Sequence, residues 1–368
     1  MIVLNNLSEL GINDLEDTVQ MRITYVPALV TAPFKLPPQS VIFDPSFLSI
    51  IGSSPSIHEI ASNSTFPFAF EAPIFNPKTD EVFFSSSLTA NSSISNRVGK
   101  ISMKAVDAAL ASNASNVNVP VTELDLPDTV QNTNGGTGPF KGSLLFVTNS
   151  LGTRPPSVVL VNPLSPNNVT VLLDNFFGRQ FDSIDDVKVH PSGNIFFTDV
   201  TYGFINHVRP PPSIPPQVYR LDPNARTVRV VATDFIEPNG IAFTEDGETA
   251  YISDTGALSS TIDQTKPSTI FAFDVDKKTQ VFKNRRVLAY TDAGIPDGLL
   301  VDTKGNIYAG CSDGVQVWND EGTLLGKFFI GSSIANMIFA GDGNLVILAN
   351  NRLFLAKISA KGLPPVFP

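Results

Sequence analysis

NGIAFTEDGETAYISD, residues 239–254, carries two short apolar runs, GIAF and TAYIS, on either side of an Asp-Gly turn, with one amide, Asn239, at its head. Apolar runs of this length around a Gly-containing turn read as a β-hairpin. The pattern returns five times, as EAPIFNPKTDEVFFSS from Glu71, NGGTGPFKGSLLFVTN from Asn134, DDVKVHPSGNIFFTD from Asp185, DGLLVDTKGNIYAGC from Asp297 and NMIFAGDGNLVILAN from Asn336. Head-to-head spacings of 63, 51, 54, 58 and 39 residues fall where self-similarity means a propeller or a solenoid. Further strand-like runs lie between the hairpins, QVYRLD (217–222), STIFAFDVD (268–276) and VVLVN (158–162), followed by TVRVVAT (227–233), RRVLAYT (285–291) and VTVLLD (169–174). Four strands per repeat and six repeats predict an all-β fold, a six-bladed β-propeller of four-stranded antiparallel blades whose closure protects the sheet edges.

One domain is expected over 1–368, with the N-terminal segment 1–65 closing the ring. SIHEIAS (56–62) is expected as the outer strand of the last blade, beside its own C-terminal strand NRLFLAKIS (351–359). Helical periodicity is confined to SMKAVDAALAS (102–112), read as a short surface helix. HVRPPPSIPPQ (207–217) and LSSTIDQTKPST (258–269) each interrupt a blade between its second and third strands, as solvated loops or as a rim over a pocket.

A formal charge of −10 and a pI near 4.8 argue against nucleic acid or an anionic membrane as partner, since either requires clustered Lys and Arg. No apolar stretch approaches the roughly 18 to 20 residues of a membrane span. Cys311 is the only cysteine, which leaves no intramolecular disulfide and no cysteine metal site. The start, MIVLNNLSEL, turns polar after Leu4 and does not read as a signal peptide. Sequons at Asn6, Asn63, Asn91, Asn113 and Asn168 suit a glycoprotein, so a secreted or secretory-pathway protein is expected, its signal already removed. It is expected to act as a monomer on a small molecule.

In a propeller the first strand of each blade lines the central channel, so the six heads converge at one mouth. The second strands return toward the same mouth and bring Asn149, Asp199 with Tyr202, Asp254, Cys311 and Asn350 near it. Three of the heads are carboxylates, Glu71, Asp185 and Asp297, and three are amides, Asn134, Asn239 and Asn336. Three buried like charges require protonation or a compensating cation, and Ca²⁺ takes oxygen ligands of these kinds. Individual heads could instead cap inter-blade turns. His190, in the HPSG turn at the far end of its hairpin, reads as an exposed turn residue, and no Ser-His-Asp arrangement or GxSxG element is present.

EAPIF at 71–75, the Asp185-Asp186 doublet, PNGIAF at 238–243 and PDGLLVD at 296–302 resemble the gluconolactonase, or senescence-marker-protein, family. NGGT at 134–137, FGRQFDS at 177–183, FTDVTYG at 197–203, IYAGCSDGVQVW at 307–318 and LGKFF at 325–329 resemble fungal lactonohydrolases more closely, and the likeness covers roughly residues 40–358. The resemblance implies a six-bladed propeller holding a divalent metal, typically calcium, with Glu71, Asp185, Asn239 and Asp297 as its ligands. Asp185 stands where that family usually has Asn, and Phe70 where the fungal lactonohydrolases tend to have His.

The implied activity is metal-dependent hydrolysis of a lactone, with Asp297 as the catalytic carboxylate. Asn134, Asn336, Asn149 and Asp254 are then expected to face substrate, with Tyr202 and Phe204 walling the pocket. Two other readings stand beside it. One is a metal-independent biosynthetic pericyclase of fungal secondary metabolism, as in lactonohydrolase-like hetero-Diels–Alderases; the other is a non-catalytic binding propeller.

Overall fold

The computed structural model describes residues 40–367 apart from 88–96, 113–116, 260 and 264. Six antiparallel sheets form the blades of a propeller. Blade 1 runs through Glu71–Asn76, Glu81–Ser85, Val98–Ser102 and Thr122–Glu123; blade 2 through Thr133–Phe140, Ser143–Thr148, Val158–Asn162 and Ser165–Leu173. Blade 3 comprises Ile184–Val189, Ile195–Asp199, Gln217–Asp222 and Thr227–Ala232, and blade 4 Pro238–Phe243, Thr249–Asp254, Thr269–Val275 and Phe282–Tyr290. Blade 5 comprises Leu299–Val301, Ile307–Cys311, Gly314–Trp318 and Leu324–Phe329, with Ser40–Ile42 added at its outer edge. Blade 6 comprises Asn336–Phe339, Asn344–Ala349 and Arg352–Lys357. Its outermost strand, Ser56–Ser62, comes from the other end of the chain and places His58 opposite Leu355. Residues 1–39 of the expected closing segment, and the sequons at Asn6, Asn91 and Asn113, lie outside the described residues; Asn63 and Asn168 are exposed.

The continuous apolar runs of the second strands follow from blade packing. Successive side chains of a strand point to opposite faces, and here each face of a blade meets a different neighbour. Leu145 and Val147 pack into the core between blades 2 and 3, whereas Leu144 and Phe146 pack into the core between blades 1 and 2. Ile195 and Phe197 turn toward blade 2, while Phe196 stacks on Phe282 of blade 4 with ring centroids 5.7 Å apart. Six apolar clusters fill the six inter-blade gaps. A strand with two core faces needs apolar residues at every position, not at every second one. Burial falls off outward: Ile195–Asp199 is buried throughout, and Ser165–Leu173 is largely exposed.

The helix Met103–Ala111 lies where the periodicity places it. The Ser102 side chain caps its start by accepting from the Ala105 N–H, and Met103 and Val106 anchor it in the core between blades 6 and 1. At the mouth remote from the heads, Leu363–Val366 help line an apolar cavity of about 340 Å³, and the Phe367 carbonyl accepts from the Lys141 N–H. No helix among the described residues is long and apolar enough to cross a membrane.

His190 departs from the sequence expectation. It is only 7% exposed, because the Gly247 turn of blade 4 closes over it. Its Nε2 lies 3.0 Å from the Gly247 carbonyl and its Nδ1 2.9 Å from Ser192 Oγ, and the ring packs edge-on against Phe243 at 5.1 Å. Burial lowers its pKa below the ordinary 6.5, with Arg220 adding to the effect and the Gly247 carbonyl opposing it. The unfolded chain therefore takes up a proton that the folded ring resists, so this contribution to stability is complete above 6.5 and is lost as pH falls through the folded pKa. The melting temperature is expected to fall from pH 7 to pH 5 more steeply in the wild type than in His190→Gln; parallel profiles would contradict this account.

Candidate active site

Four of the six innermost strands carry a β-bulge just past the head. Pairing registers shift between Glu71 and Ile74, Thr133 and Gly136, Ile184 and Val187, and Pro238 and Ile241. A bulge bends the strand and re-aims a side chain, here at the start of the strand that lines the axis. Glycine follows three heads because the neighbouring blade occupies the space a side chain would need, with its backbone at Gly135 and Gly240 and with the Asn336 side chain at Gly298. A Cβ on Gly240 would lie 2.4 Å from the Asp297 carbonyl oxygen, and one on Gly135 2.5 Å from that of Asp185.

Around the ring the heads alternate between carboxylate and amide, and they bond in neighbouring pairs. Asn134 Nδ2 donates to Asp185 Oδ1 at 2.5 Å, Asn336 Nδ2 to Glu71 Oε2 at 2.8 Å, and the Asn239 side chain bonds to Asp297. Each carboxylate thus receives one amide. Because a carboxylate can only accept, Asn134 commits its NH₂ and keeps its carbonyl oxygen for another partner. Asn336 has no such reserve, since its Oδ1 already accepts from the Met337 N–H at 2.9 Å.

Above these pairs lies a cavity of about 260 Å³ lined by Glu71, Asp185, Asp297, Asn134 and Asn239, with Asn132, Asn149, Ser86, Ser87, Thr133 and Asn206 along its polar walls. Phe70, Tyr202, Ile205 and Leu258 form the apolar part, with Ser259 beside Leu258, and no Lys, Arg or His among the described residues lines it. Burial raises the carboxyl of Glu71 well above its usual pKa, with Asp297 and Asp186 adding to the effect and Asn336 opposing it. Burial likewise raises Asp185, reinforced by Asp297, Glu71 and Asp186. Asp297 is pushed up to about 7 by burial, against the Asn239 hydrogen bond and with Asp186 adding to the rise. Burial and the adjacent Asp185 hold the Tyr202 phenol in its neutral form, hydrogen-bonded to the Thr255 hydroxyl.

The expected site residues divide. Asn134, Asn149, Tyr202, Asp185, Glu71, Asn239 and Asp297 line the cavity. Asn149 carries the clearest mark of a ligand contact: it is 1% exposed, and neither its Oδ1 nor its Nδ2 has a partner. Asn336 does not line the cavity; it braces Glu71 from beneath. Asp254 also stands away from the cavity, because it holds the loop entering blade 4 by accepting from the N–H groups of Ile236, Glu237 and Gly256. Asp199 does the same in blade 3 for Asp182 and Ser183. Phe204 is 44% exposed and walls nothing; the one-turn helix Tyr202–Ile205 presents Tyr202 and Ile205 to the cavity instead.

Asp186 is the functional-site residue the sequence reading passed over. Its carboxylate accepts from the N–H groups of Val187 at 2.8 Å and Ile241 at 3.0 Å, and Lys188 Nζ lies 3.4 Å away. It ties blade 3 to blade 4 directly under the heads. The doublet Asp185-Asp186 was the visible signal, with one member facing the cavity and the other its floor.

The donor set fits a hard divalent cation in kind. Three carboxylates and two amides face one cavity that no cationic side chain among the described residues lines, which is the oxygen-rich chemistry Ca²⁺ takes. In this arrangement the amides hold the carboxylates apart, and among the described residues no three His, Cys, Asp or Glu side chains close into a cage.

Residues 102–350 match the family described as the SMP-30/gluconolactonase/LRE-like region. The chain is 30% identical over 223 residues to lactonohydrolase oryL of Aspergillus oryzae, covering 55% of this chain and 51% of that protein. It spans about half the length of the curated relatives it matches. Among solved structures, a gluconolactonase of Xanthomonas campestris superposes with a TM-score of 0.68 at 22% identity, covering 87% of this chain and 95% of that one. A calcium-binding regucalcin of Agrobacterium tumefaciens superposes with a TM-score of 0.62 at 15% identity, covering 85% and 98%. At these identities the two structures share the fold.

The close approach at Gly240 yields a test of the ring itself. Gly240→Ala is expected to lower stability by about 1–3 kcal/mol, because its methyl meets backbone that cannot rotate away. Gly142→Ala, where nothing lies within 4 Å of the Cβ position but φ is 79°, reports the backbone penalty alone. Denaturation curves in which Gly240→Ala costs no more than Gly142→Ala would remove the packing argument.

Proposed function

The chain belongs to the SMP-30/gluconolactonase/LRE-like family, and on that premise we propose that it is a lactone hydrolase working with a divalent cation, calcium foremost. The observation that carries the reading is the ring of three buried carboxylates and their amides, facing one cavity without a cationic side chain among the described residues. Glu71, Asp185, Asn239 and Asp297 would hold the ion, and the calcium-binding fold neighbour supports that choice of metal. Asp185 in place of Asn makes the set more anionic, which strengthens its demand for a divalent ion. When bound, such an ion polarises a lactone carbonyl and offsets negative charge on its oxygen.

The remaining chemistry falls to the chain. Burial lifts Asp297 to about 7 in the ring of side chains alone, and a bound cation would lower it again, which leaves a carboxylate able to accept a proton near neutrality. It takes a proton from water as the water oxygen bonds to the acyl carbon, and returns it to the ring oxygen as the acyl–oxygen bond breaks. Asn149 offers an unspent donor and acceptor to hold the substrate, and the neutral Tyr202 supplies part of the wall. Asn134 and Asn336 keep Asp185 and Glu71 in place.

Two measurements test this. Lactone opening is expected to vanish on chelation with EDTA and to return with Ca²⁺, and Ca²⁺ is expected to raise the melting temperature more at pH 8 than at pH 6. The sign follows from the raised pKa values of Glu71, Asp185 and Asp297, since protons compete for the same oxygens as pH falls. An unchanged rate in EDTA would exclude the metal role. No opening of any lactone by the loaded protein would hand the cavity to a pericyclase or a binding function.

Asp297→Asn is expected to lower kcat by about 10²-fold or more. The wild-type pH–rate profile should show an acid limb at or below about 7, because a cation beside Asp297 can only lower its pKa. A variant retaining wild-type kcat would relieve Asp297 of the base role.

A further inference from the structure

We propose that the end of the central channel remote from the heads is a second small-molecule site, which takes a monocarboxylate with an apolar chain, its carboxylate on Lys188 and Thr137 and its chain against the innermost strands. The inference is independent of the chemistry at the head ring.

A second ring of side chains lies below the heads. It is formed by the residue three places past the head in blades 2 to 6 and four past it in blade 1: Thr137, Lys188, Ala242, Leu300, Phe339 and Phe75. All six line the cavity of about 340 Å³, a volume within the roughly 300–1,000 Å³ of small-molecule sites. Four of the six are apolar, and the two polar ones come from neighbouring blades. The innermost strands of blades 2 and 3 carry the same bulge just past the head, so Thr137 and Lys188 stand at matching positions of adjacent strands.

Lys188 is the one cationic side chain among the described residues that lines this cavity. Its ammonium turns up toward Asp186 without closing on it. Nζ lies 3.4 and 3.5 Å from the two carboxylate oxygens, beyond the roughly 2.7–2.9 Å of a full charge-assisted bond. Asp186 is met more closely by the N–H groups of Val187 and Ile241, at 2.8 and 3.0 Å. The three donors of the ammonium thus share one distant partner among the described residues. Of the other polar side chains lining the cavity, Glu245 is exposed and Thr244 spends its hydroxyl on Asp246 at 2.6 Å. Leu363–Val366 cross the mouth from blade 5, where the Thr303 N–H donates to the Lys361 carbonyl at 2.9 Å, to blade 2, where the Lys141 N–H donates to the Phe367 carbonyl at 2.6 Å. The strap bounds a chamber with apolar walls and a cation at its inner end.

Charge and polarity then select the ligand. A cation would be repelled by Lys188, and a neutral chain would leave the ammonium with its long contacts alone. A dianion such as a phosphate monoester would face Asp186, and the head acids beyond it, with a single ammonium to offset two charges. A monocarboxylate matches that one charge and accepts from both Lys188 and the Thr137 hydroxyl, while its alkyl chain gains by leaving water.

The test is isothermal titration calorimetry of the full chain with butyrate, hexanoate, octanoate and octanamide. The dissociation constant is expected to fall about two- to fourfold per added methylene, with octanamide at least about tenfold weaker than octanoate. Lys188→Met should weaken octanoate about tenfold or more and leave octanamide within about twofold. Wild-type protein that does not bind octanoate, or that binds octanamide equally well, overturns the inference. Octanoate binding unchanged in Lys188→Met places the carboxylate elsewhere and overturns it as well. Leu300→Gln should flatten the gain with chain length and carries the test if Lys188→Met does not fold; an unchanged gain there removes the assignment to these walls. Lactone opening plays no part in the readout, so failure here leaves the hydrolase reading standing, and failure of that reading leaves this site in place.

Discussion

Three carboxylates buried around one axis repel each other, and the inner end of this propeller is organised around that repulsion. Each acid is separated from the next by an amide from the intervening blade, and each amide donates to one acid: Asn134 to Asp185, Asn239 to Asp297, Asn336 to Glu71. One amide hydrogen bond per carboxylate, with the Ala72 N–H added at Glu71, is less than burial demands, which is why all three acids stay shifted upward. The shortfall has consequences beyond electrostatics. Charge that the chain does not neutralise is available to protons, a cation or a substrate, so the same deficit that costs stability gives the site its capacity to act.

That pairing also depends on the blade interfaces. An amide on one blade reaches an acid on the next only if the two innermost strands pass nearly in contact, and the glycines after Asn134 and Asn239 permit this by leaving no Cβ between the strands. Behind them, Asp186 reaches across from blade 3 to the Ile241 N–H of blade 4. The apolar clusters between blades then fix the distance that the polar groups at the axis require. Packing and chemistry are coupled along the same six seams.

What the sequence made legible was whatever the six repeats share. Runs such as VFF, LLFV and IFF mark strands with two core faces, and a polar head before each run marks the axis, so blade number and the acid–amide ring could be read by counting. The unequal parts could not be read this way. Asn336 is indistinguishable from Asn239 as a head, yet its carbonyl is occupied by its own strand, at the Met337 N–H. Asp254 ends its strand as a site residue would, but three nearby N–H groups converge on it and no spacing rule foretells that. His190 looks exposed within its own turn, and is buried by a glycine turn 57 residues further along. Only the His190 miss is a contact made by a different blade; those of Asn336 and Asp254 are made within the blade that carries the residue, by backbone N–H groups whose convergence the repeat does not encode.

The asymmetry places discrimination and chemistry on different parts of the fold. The head ring is fixed by bulges, glycine contacts and paired hydrogen bonds, leaving little room to vary without breaking a seam. The loops after the second strands have no such constraint, and here those of blades 3 and 4 bond to one another through Tyr202 and Thr255, while Thr201 bonds to Glu237 in the loop entering blade 4. A lactone entering the cavity would meet those loops before the ring. Under the proposed hydrolase reading, those loops would govern which molecules reach the carboxylates, and Asp297 with the charge that its blade partners leave unbalanced would govern what happens to them.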